Sequence, residues 1–131
     1  MSQRSFAGSF AAVAIMFGIS GLPPALPQDL NGRRLFEATC TPCHNFDEDA
    51  SPDIYGQTLN LYGVIGRKPA STPNFEYSEA MKATDRTWDA QSVASFIASP
   101  RKFVPGTRME LPGVPDPEVR QAIIEFLSTG R

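Results

Sequence analysis

The chain has 131 residues and a formal net charge of −2, a length that suits a single domain. The slight acidic excess excludes a nucleic-acid-binding surface, because such a surface requires clustered basic residues. Twelve prolines and ten glycines predict long irregular connections between short regular elements.

The N-terminal segment has the pattern of an export signal. Arg4 is the only charge in the first 28 residues, and an apolar run with the length of a signal-peptide core follows it. We therefore expect a signal peptide over residues 1–20, a proline-rich leader over 21–28 and one domain over 29–131. The protein is then exported, to the periplasm in a bacterium. No clean cleavage site is visible, so an uncleaved membrane anchor is the alternative.

Capping residues and apolar spacing predict four helices joined by loops. In chain order these are a helix beginning at Asp29 or Asn31, a short one over 78–83, one capped by Asp89 and ended by Pro100, and one from Asp116-Pro117 to Gly130. An acidic stretch from Asp47 to Asp53 is expected to be a solvated loop, and residues 100–115 are expected to be another loop. No strand is predicted.

The pentapeptide Cys40-Thr41-Pro42-Cys43-His44 contains both cysteines and the only histidine of the chain. This spacing is typical of c-type haem attachment, in which each thiol adds to a vinyl group and the histidine is the proximal iron ligand. A zinc site would need about four ligands, and no second Cys or His pair exists. A thioredoxin-type motif would need a βαβ setting. A simple Cys40–Cys43 disulfide and a chance match are further alternatives.

A six-coordinate haem needs a second axial ligand, and methionine, lysine, tyrosine and water are the candidates. Met109 lies in a loop with Pro105 and Gly106, where no helical stripe explains it as a core residue. Met81 falls in a predicted helix and is expected to pack. A thioether favours ferrous iron and raises the potential. We therefore expect Met109 to be the second ligand.

Four further motifs follow the pentapeptide in a fixed order. They are Asn60-Leu61-Tyr62-Gly63-Val64-Ile65-Gly66-Arg67, Phe75-Glu76-Tyr77-Ser78, Trp88 and Pro105-Gly106-Thr107-Arg108-Met109. Over residues 29–129 this pattern resembles the class I c-type cytochromes, near mitochondrial cytochrome c and bacterial cytochrome c2. The resemblance implies a small all-α cytochrome c fold, in which the N- and C-terminal helices cross and long loops wrap one covalently bound haem c.

The resemblance also implies a role for individual residues. Cys40 and Cys43 attach the haem, His44 and Met109 bind its iron, the carbonyl of Leu59 orients His44, Arg67, Tyr77 and Trp88 contact the propionates, and Thr107 places a hydroxyl near the propionate and the distal loop. Three residues depart from the family pattern. Leu59 replaces a proline, Phe96 replaces a tyrosine near the ligand sulfur, and Met81 replaces a buried asparagine.

The function that the resemblance implies is electron transfer, without enzymatic activity, by a monomer that cycles between Fe(II) and Fe(III). Redox protein partners are expected at the exposed haem edge, with Val104, Leu111 and Val114 forming an apolar rim. Steering by charge is expected to be modest, because few cations remain: Lys68, Lys82, Arg101, Lys102 and Arg108. The alternatives are a membrane-tethered haem subunit of a dehydrogenase or oxidase complex, and a haem peroxidase or gas-binding protein if Met109 is labile.

Overall fold

The computed structural model describes residues 31–49 and 58–130, so the predicted signal peptide, the leader and Asp53 lie outside the described residues. The described part contains five α-helices and two very short strands. They are α1 (Gly32–Thr39), β1 (His44–Asn45), β2 (Leu59–Asn60), α2 (Glu79–Lys82), α3 (Ala90–Ala98), α4 (Pro100–Phe103) and α5 (Pro117–Thr129). None of these helices is long and apolar enough to cross a membrane.

Local capping explains where four of the helices begin, as the sequence predicts. The side chains of Asn31, Ser78, Asp89 and Asp116 each accept a hydrogen bond from a backbone N–H in the first turn of α1, α2, α3 and α5. These bonds satisfy donors that have no partner within the helix. At the other end of α5, Gly130 has φ of +73°, the left-handed cap that glycine adopts without strain.

Three short elements were not predicted: β1, β2 and α4. The strands β1 and β2 pair in parallel, with His44 opposite Leu59 and Asn45 opposite Asn60. Two residues are too few to show the alternation that identifies a strand in a sequence. The expectation of a loop from residue 100 is also wrong for its first turn, because Pro100 both ends α3 and begins α4. Proline suits the first turn of a helix, where its missing N–H costs nothing.

The N- and C-terminal helices cross closely, as the resemblance implies. A Cβ atom at Gly32 would overlap the carbonyl oxygen of Ala122, so only glycine allows the backbones of α1 and α5 to approach this far. Beside this crossing the rings of Phe36 and Phe126 lie 5.3 Å apart, each about 2 % exposed or less. This contact forms one end of the core.

Helix α3 packs against α5 on the other side of the crossing. Gly113, with φ of +122°, lies so near α3 that a Cβ atom would overlap the carbonyl oxygen of Ala98. The backbone N–H of Val114 donates to the carbonyl of Ile97 over 2.9 Å. The loop that follows Met109 is therefore attached to the end of α3, and this attachment helps to define the cavity described next.

Candidate haem site

A cavity of about 580 Å³ lies between the helices and the long loops. This is within the range of roughly 300–1,000 Å³ that is usual for sites that bury a small molecule. Most of its wall is apolar, with Trp88, Phe96 and Ile97 on one side and Leu127 on another. Every residue that the sequence predicts for the site, from Cys40 to Met109, lines this one cavity.

Both cysteines carry free thiols in the structure. Cys40 ends α1, and its carbonyl accepts from the backbone N–H groups of Cys43 (3.1 Å) and His44 (2.9 Å), so a tight turn brings the three side chains to the cavity wall. Burial raises the pKa of Cys40 to about 11, so the thiol is protonated at neutral pH. That is unlike the acidic thiolates of disulfide-exchange proteins.

His44 is held by the backbone. Its Nδ1 lies 3.2 Å from the carbonyl oxygen of Leu59, the residue that faces it in the β1–β2 pair. A carbonyl can only accept, so the proton is on Nδ1 and the lone pair of Nε2 is available to a metal. Burial lowers the pKa of His44, and the Leu59 hydrogen bond opposes this in part. The imidazole is thus neutral at neutral pH, the form that binds metals.

Two methionines line the cavity. Met109 is half-buried, and its backbone N–H donates to the hydroxyl of Thr107 over 3.2 Å. Thr107 in turn donates its N–H to the carbonyl of Val104, which folds the loop into a tight turn. Met81, which the sequence predicts only as a packing residue, packs against the core and also reaches the cavity wall. Experiments must therefore distinguish the two thioethers.

The residues implied in propionate binding all line the cavity. The guanidinium of Arg67 donates to the carbonyl oxygens of Asn60 (2.9 Å) and Tyr62 (3.3 Å). The backbone N–H of Trp88 donates to the carbonyl of Arg67 over 2.9 Å, which ties two distant loops together. Tyr77 is half-buried. Main-chain contacts thus hold Arg67 and Trp88 in the cavity wall.

The predicted apolar rim is not present as expected. Val104 and Val114 are buried, at 4 % and 8 % exposed, so neither is available to a partner, and Leu111 is half-buried. An ion pair lies in the cavity wall, where Arg108 pairs with Glu76 at 3.4 Å. A second pair, Lys82 with Glu79 at 2.8 Å, lies on α2. Nothing in the sequence indicated Glu76 as a partner, because it lies 32 residues before Arg108.

These groups suit a covalently attached haem. Two free thiols, a neutral imidazole and a thioether surround one largely apolar cavity that is large enough for a flat cofactor. A small all-α protein with such a site belongs to the class of c-type haem proteins, in which the cofactor completes a core that the short helices leave open.

Comparison with known proteins identifies the family within this class. No family model matches the chain. The chain is 38% identical over 110 residues to cytochrome c2 of Rhodopila globiformis. This match covers 82% of this chain and 95% of that protein. It is 33% identical over 97 residues to cytochrome c of Sesamum indicum, covering 74% and 85%.

A solved structure agrees. Cytochrome cH from Methylobacterium extorquens matches with a TM-score of 0.65 and 35% identity, over 76% of this chain and 95% of that one. The chain therefore belongs to the class I c-type cytochromes. As a member it carries one covalently bound haem c and acts in electron transport rather than as an enzyme.

Proposed function

We propose that this protein is a single-haem electron carrier with His/Met axial ligation. In this proposal Cys40 and Cys43 would attach the haem, and His44 and Met109 would supply the two protein ligands of its iron. The observation that carries the proposal is the convergence of two thiols, one neutral imidazole and the thioethers of Met109 and Met81 on a single cavity. The haem supplies one-electron chemistry, and the chain's residues fix its ligands and exclude water.

The two proposed ligands favour electron transfer over catalysis. His44 is already oriented by the carbonyl of Leu59, so the ring needs little rearrangement when the metal site forms. The thioether of Met109 is a soft, neutral donor that favours ferrous iron. With both axial positions filled by the protein, no open position remains for oxygen or peroxide. This distinguishes the proposal from a haem peroxidase or a gas-binding protein.

Arg67, Tyr77 and Trp88 are proposed to bind the propionates. A buried carboxylate is costly unless it is paired or hydrogen-bonded, and these three residues place hydrogen-bond donors in the cavity wall. The main-chain bonds that hold Arg67 leave it oriented before the cofactor arrives. In the same proposal the hydroxyl of Thr107 mainly stabilises the loop that carries Met109, because it accepts a hydrogen bond from the N–H of Met109.

The two methionines on the cavity wall provide a direct test of axial ligation. The ferric protein should show the weak far-red absorption band that is typical of a methionine–iron bond. Met109→Ala should abolish this band and allow rapid binding of cyanide and carbon monoxide. Met81→Ala removes the other thioether of the wall and should leave the band in place, which makes it the matched control.

Two results would contradict this assignment. If Met81→Ala abolished the band and Met109→Ala kept it, the ligand would be Met81. If the unaltered protein had no such band and bound carbon monoxide rapidly, the sixth position would be open and a gas-binding or peroxidase function would replace electron transfer.

We further propose that the protein works outside the cytoplasm as a monomer, after removal of residues 1–20. The basic and then apolar start of the chain supports this, because it matches an export signal. The intact mass of the purified protein is the check: it should equal the shortened chain plus one haem. A haem-bearing chain that still begins at residue 1 and is found in the membrane fraction would favour the tethered subunit of a larger complex.

Redox partners are proposed to dock where the haem edge is accessible, beside the exposed Cys43. The nearby residues Thr41 and Pro42 are also exposed, so this surface is available to another protein. In the ion pairs Arg108–Glu76 and Lys82–Glu79 the opposite charges lie close together, so they produce little net electric field that could steer a partner. Contact at this edge then depends on shape and short-range packing.

A further inference from the structure

The loop that carries Met109 is tied to the segment 75–82 at two points. A guanidinium nitrogen of Arg108, Nη1, lies 3.3 Å from the carbonyl oxygen of Glu76 and 3.4 Å from its carboxylate Oε1. On the other side of Thr107, Gly106 faces α2 so closely that a Cβ atom would lie 3.1 Å from the Cβ of Ala80. The loop 104–109 therefore contacts the segment 75–82 on both sides of Thr107.

These contacts matter because the loop has little regular structure of its own. Residues 104–109 belong to no long helix or strand, and a tight turn at Thr107 supplies the hydrogen bonds described above. Arg108 directly precedes Met109, so a displacement of one backbone displaces the other. Arg108, Met109 and Glu76 also line the same cavity. The Arg108–Glu76 contact thus joins the residue beside the proposed ligand to the segment 75–82.

We propose that Arg108 and Glu76 form a clasp, a positioning pair that keeps Met109 on the iron. The proposal rests on the proposed axial ligation of Met109. Both side chains are mainly exposed, at 63% for Arg108 and 83% for Glu76, so the clasp is a weak ion pair. Exposed pairs contribute up to about 1 kcal/mol, so its loss should raise the fraction of Met109-released protein by up to roughly fivefold.

A charge effect and a clasp predict different patterns. Glu76→Gln removes a negative charge near the haem and should raise the midpoint potential, whereas Arg108→Gln removes a positive charge and should lower it. Release of Met109 should instead increase in both variants, because Glu76→Gln removes the ion pair and Arg108→Gln removes both the ion pair and the bond to the Glu76 carbonyl. The two readouts together separate electrostatic tuning from positioning of the ligand loop.

The test is titration of the ferric holoprotein with imidazole, a neutral ligand that competes with Met109. Its apparent affinity rises with the fraction of protein in which Met109 has been released. Glu76→Gln and Arg108→Gln should each bind imidazole more tightly than the unaltered protein, by up to about fivefold. Arg108→Lys keeps a donor and a charge, so it should restore part of the difference.

The ion pair between Arg33 and Glu37 on α1 gives a matched control away from the methionine loop. Both side chains are more than half exposed, and neither lines the cavity. Arg33→Gln and Glu37→Gln change charge in the same way and should leave imidazole affinity unchanged. High salt should weaken the clasp in the unaltered protein and have no such effect in Arg108→Gln.

The clasp is overturned if Glu76→Gln and Arg108→Gln bind imidazole as the unaltered protein does, or if the control variants shift as much. The proposal is also overturned if one variant binds imidazole more tightly and the other less tightly, in parallel with the opposite shifts of their midpoint potentials. Failure of the axial assignment looks different: Met109→Ala would then bind imidazole no faster and no more tightly than the unaltered protein.

Discussion

At the scale of single residues, the orientation of His44 depends on a backbone atom. The acceptor is the carbonyl of Leu59, so replacement of the family's proline by leucine leaves the bond in place at 3.2 Å. The sequence predicted this through the resemblance alone. It could not supply the distance, because that depends on the pairing of β1 with β2, and two-residue strands leave no pattern in a sequence.

Among the described residues, Ala70 has the backbone conformation that costs the most free energy. Its φ is +53°, in the left-handed region where a Cβ atom is strained, and it lies in the cavity wall. Asn74, in the same loop, also has positive φ, at +62°, but asparagine tolerates this region far better. The cavity wall therefore contains one residue that a glycine would suit better.

Ala70→Gly should stabilise the protein. Relief of the left-handed strain outweighs the greater entropy of glycine in the unfolded chain, and the expected gain in the free energy of unfolding is about 0.5–1 kcal/mol. Asn74→Gly is the control, and should change stability less or lower it slightly. Urea unfolding of the holoprotein measures both, and a lower midpoint for Ala70→Gly than for the unaltered chain would contradict the strain.

At the scale of elements, the helices that could be predicted are those with local signals. Asn31, Asp89 and Asp116 cap helices by bonds that span only two or three residues, so the sequence alone reveals them. The sequence did not predict α4, because the position of Pro100 indicated only the end of α3. Its second role, as the first residue of a new turn, became visible only with the backbone.

Contacts between elements were predicted less evenly. The crossing of α1 and α5 was expected from the family resemblance, and Gly32 is the residue that allows the close approach, although glycine inside a helix is otherwise costly. The Arg108–Glu76 clasp left no such sign, since exposed charged residues are common and the pair is distant in the chain. Burial of Val104 and Val114 was missed for a related reason: in loops, apolar residues have no periodicity that shows which way they point.

At the scale of the whole molecule, the charges near the cavity largely cancel. Arg108 faces Glu76 and Lys82 faces Glu79, and Glu110 follows the proposed ligand directly. The acidic residues Asp47 to Asp49 are exposed near Tyr62, whose pKa is raised first of all by a hydrogen bond with Glu48. Partners consequently meet a surface with opposite charges mixed at short range.

Electron exchange should therefore depend only weakly on ionic strength. Oxidation of the ferrous protein by ferricyanide, an anion, should slow only a little as salt shortens the Debye length from about 30 Å to about 8 Å. The double variant with Glu76→Gln and Glu79→Gln frees Arg108 and Lys82, so its rate should begin higher and fall steeply with salt. A steep fall in the unaltered protein would show that unpaired cations dominate.

The pairing of β1 with β2 also has a consequence for how the protein varies. It joins His44 to Leu59 and Asn45 to Asn60, and the amide of Asn60 adds a bond to the carbonyl of Asp47 at 2.7 Å. Together they close the base of the connection between the two strands. Doubling the length of such a connection costs only about 0.6 kcal/mol in closure entropy. We therefore expect insertions beyond this base to leave the imidazole in place, which makes this connection a suitable position for grafting a recognition tag.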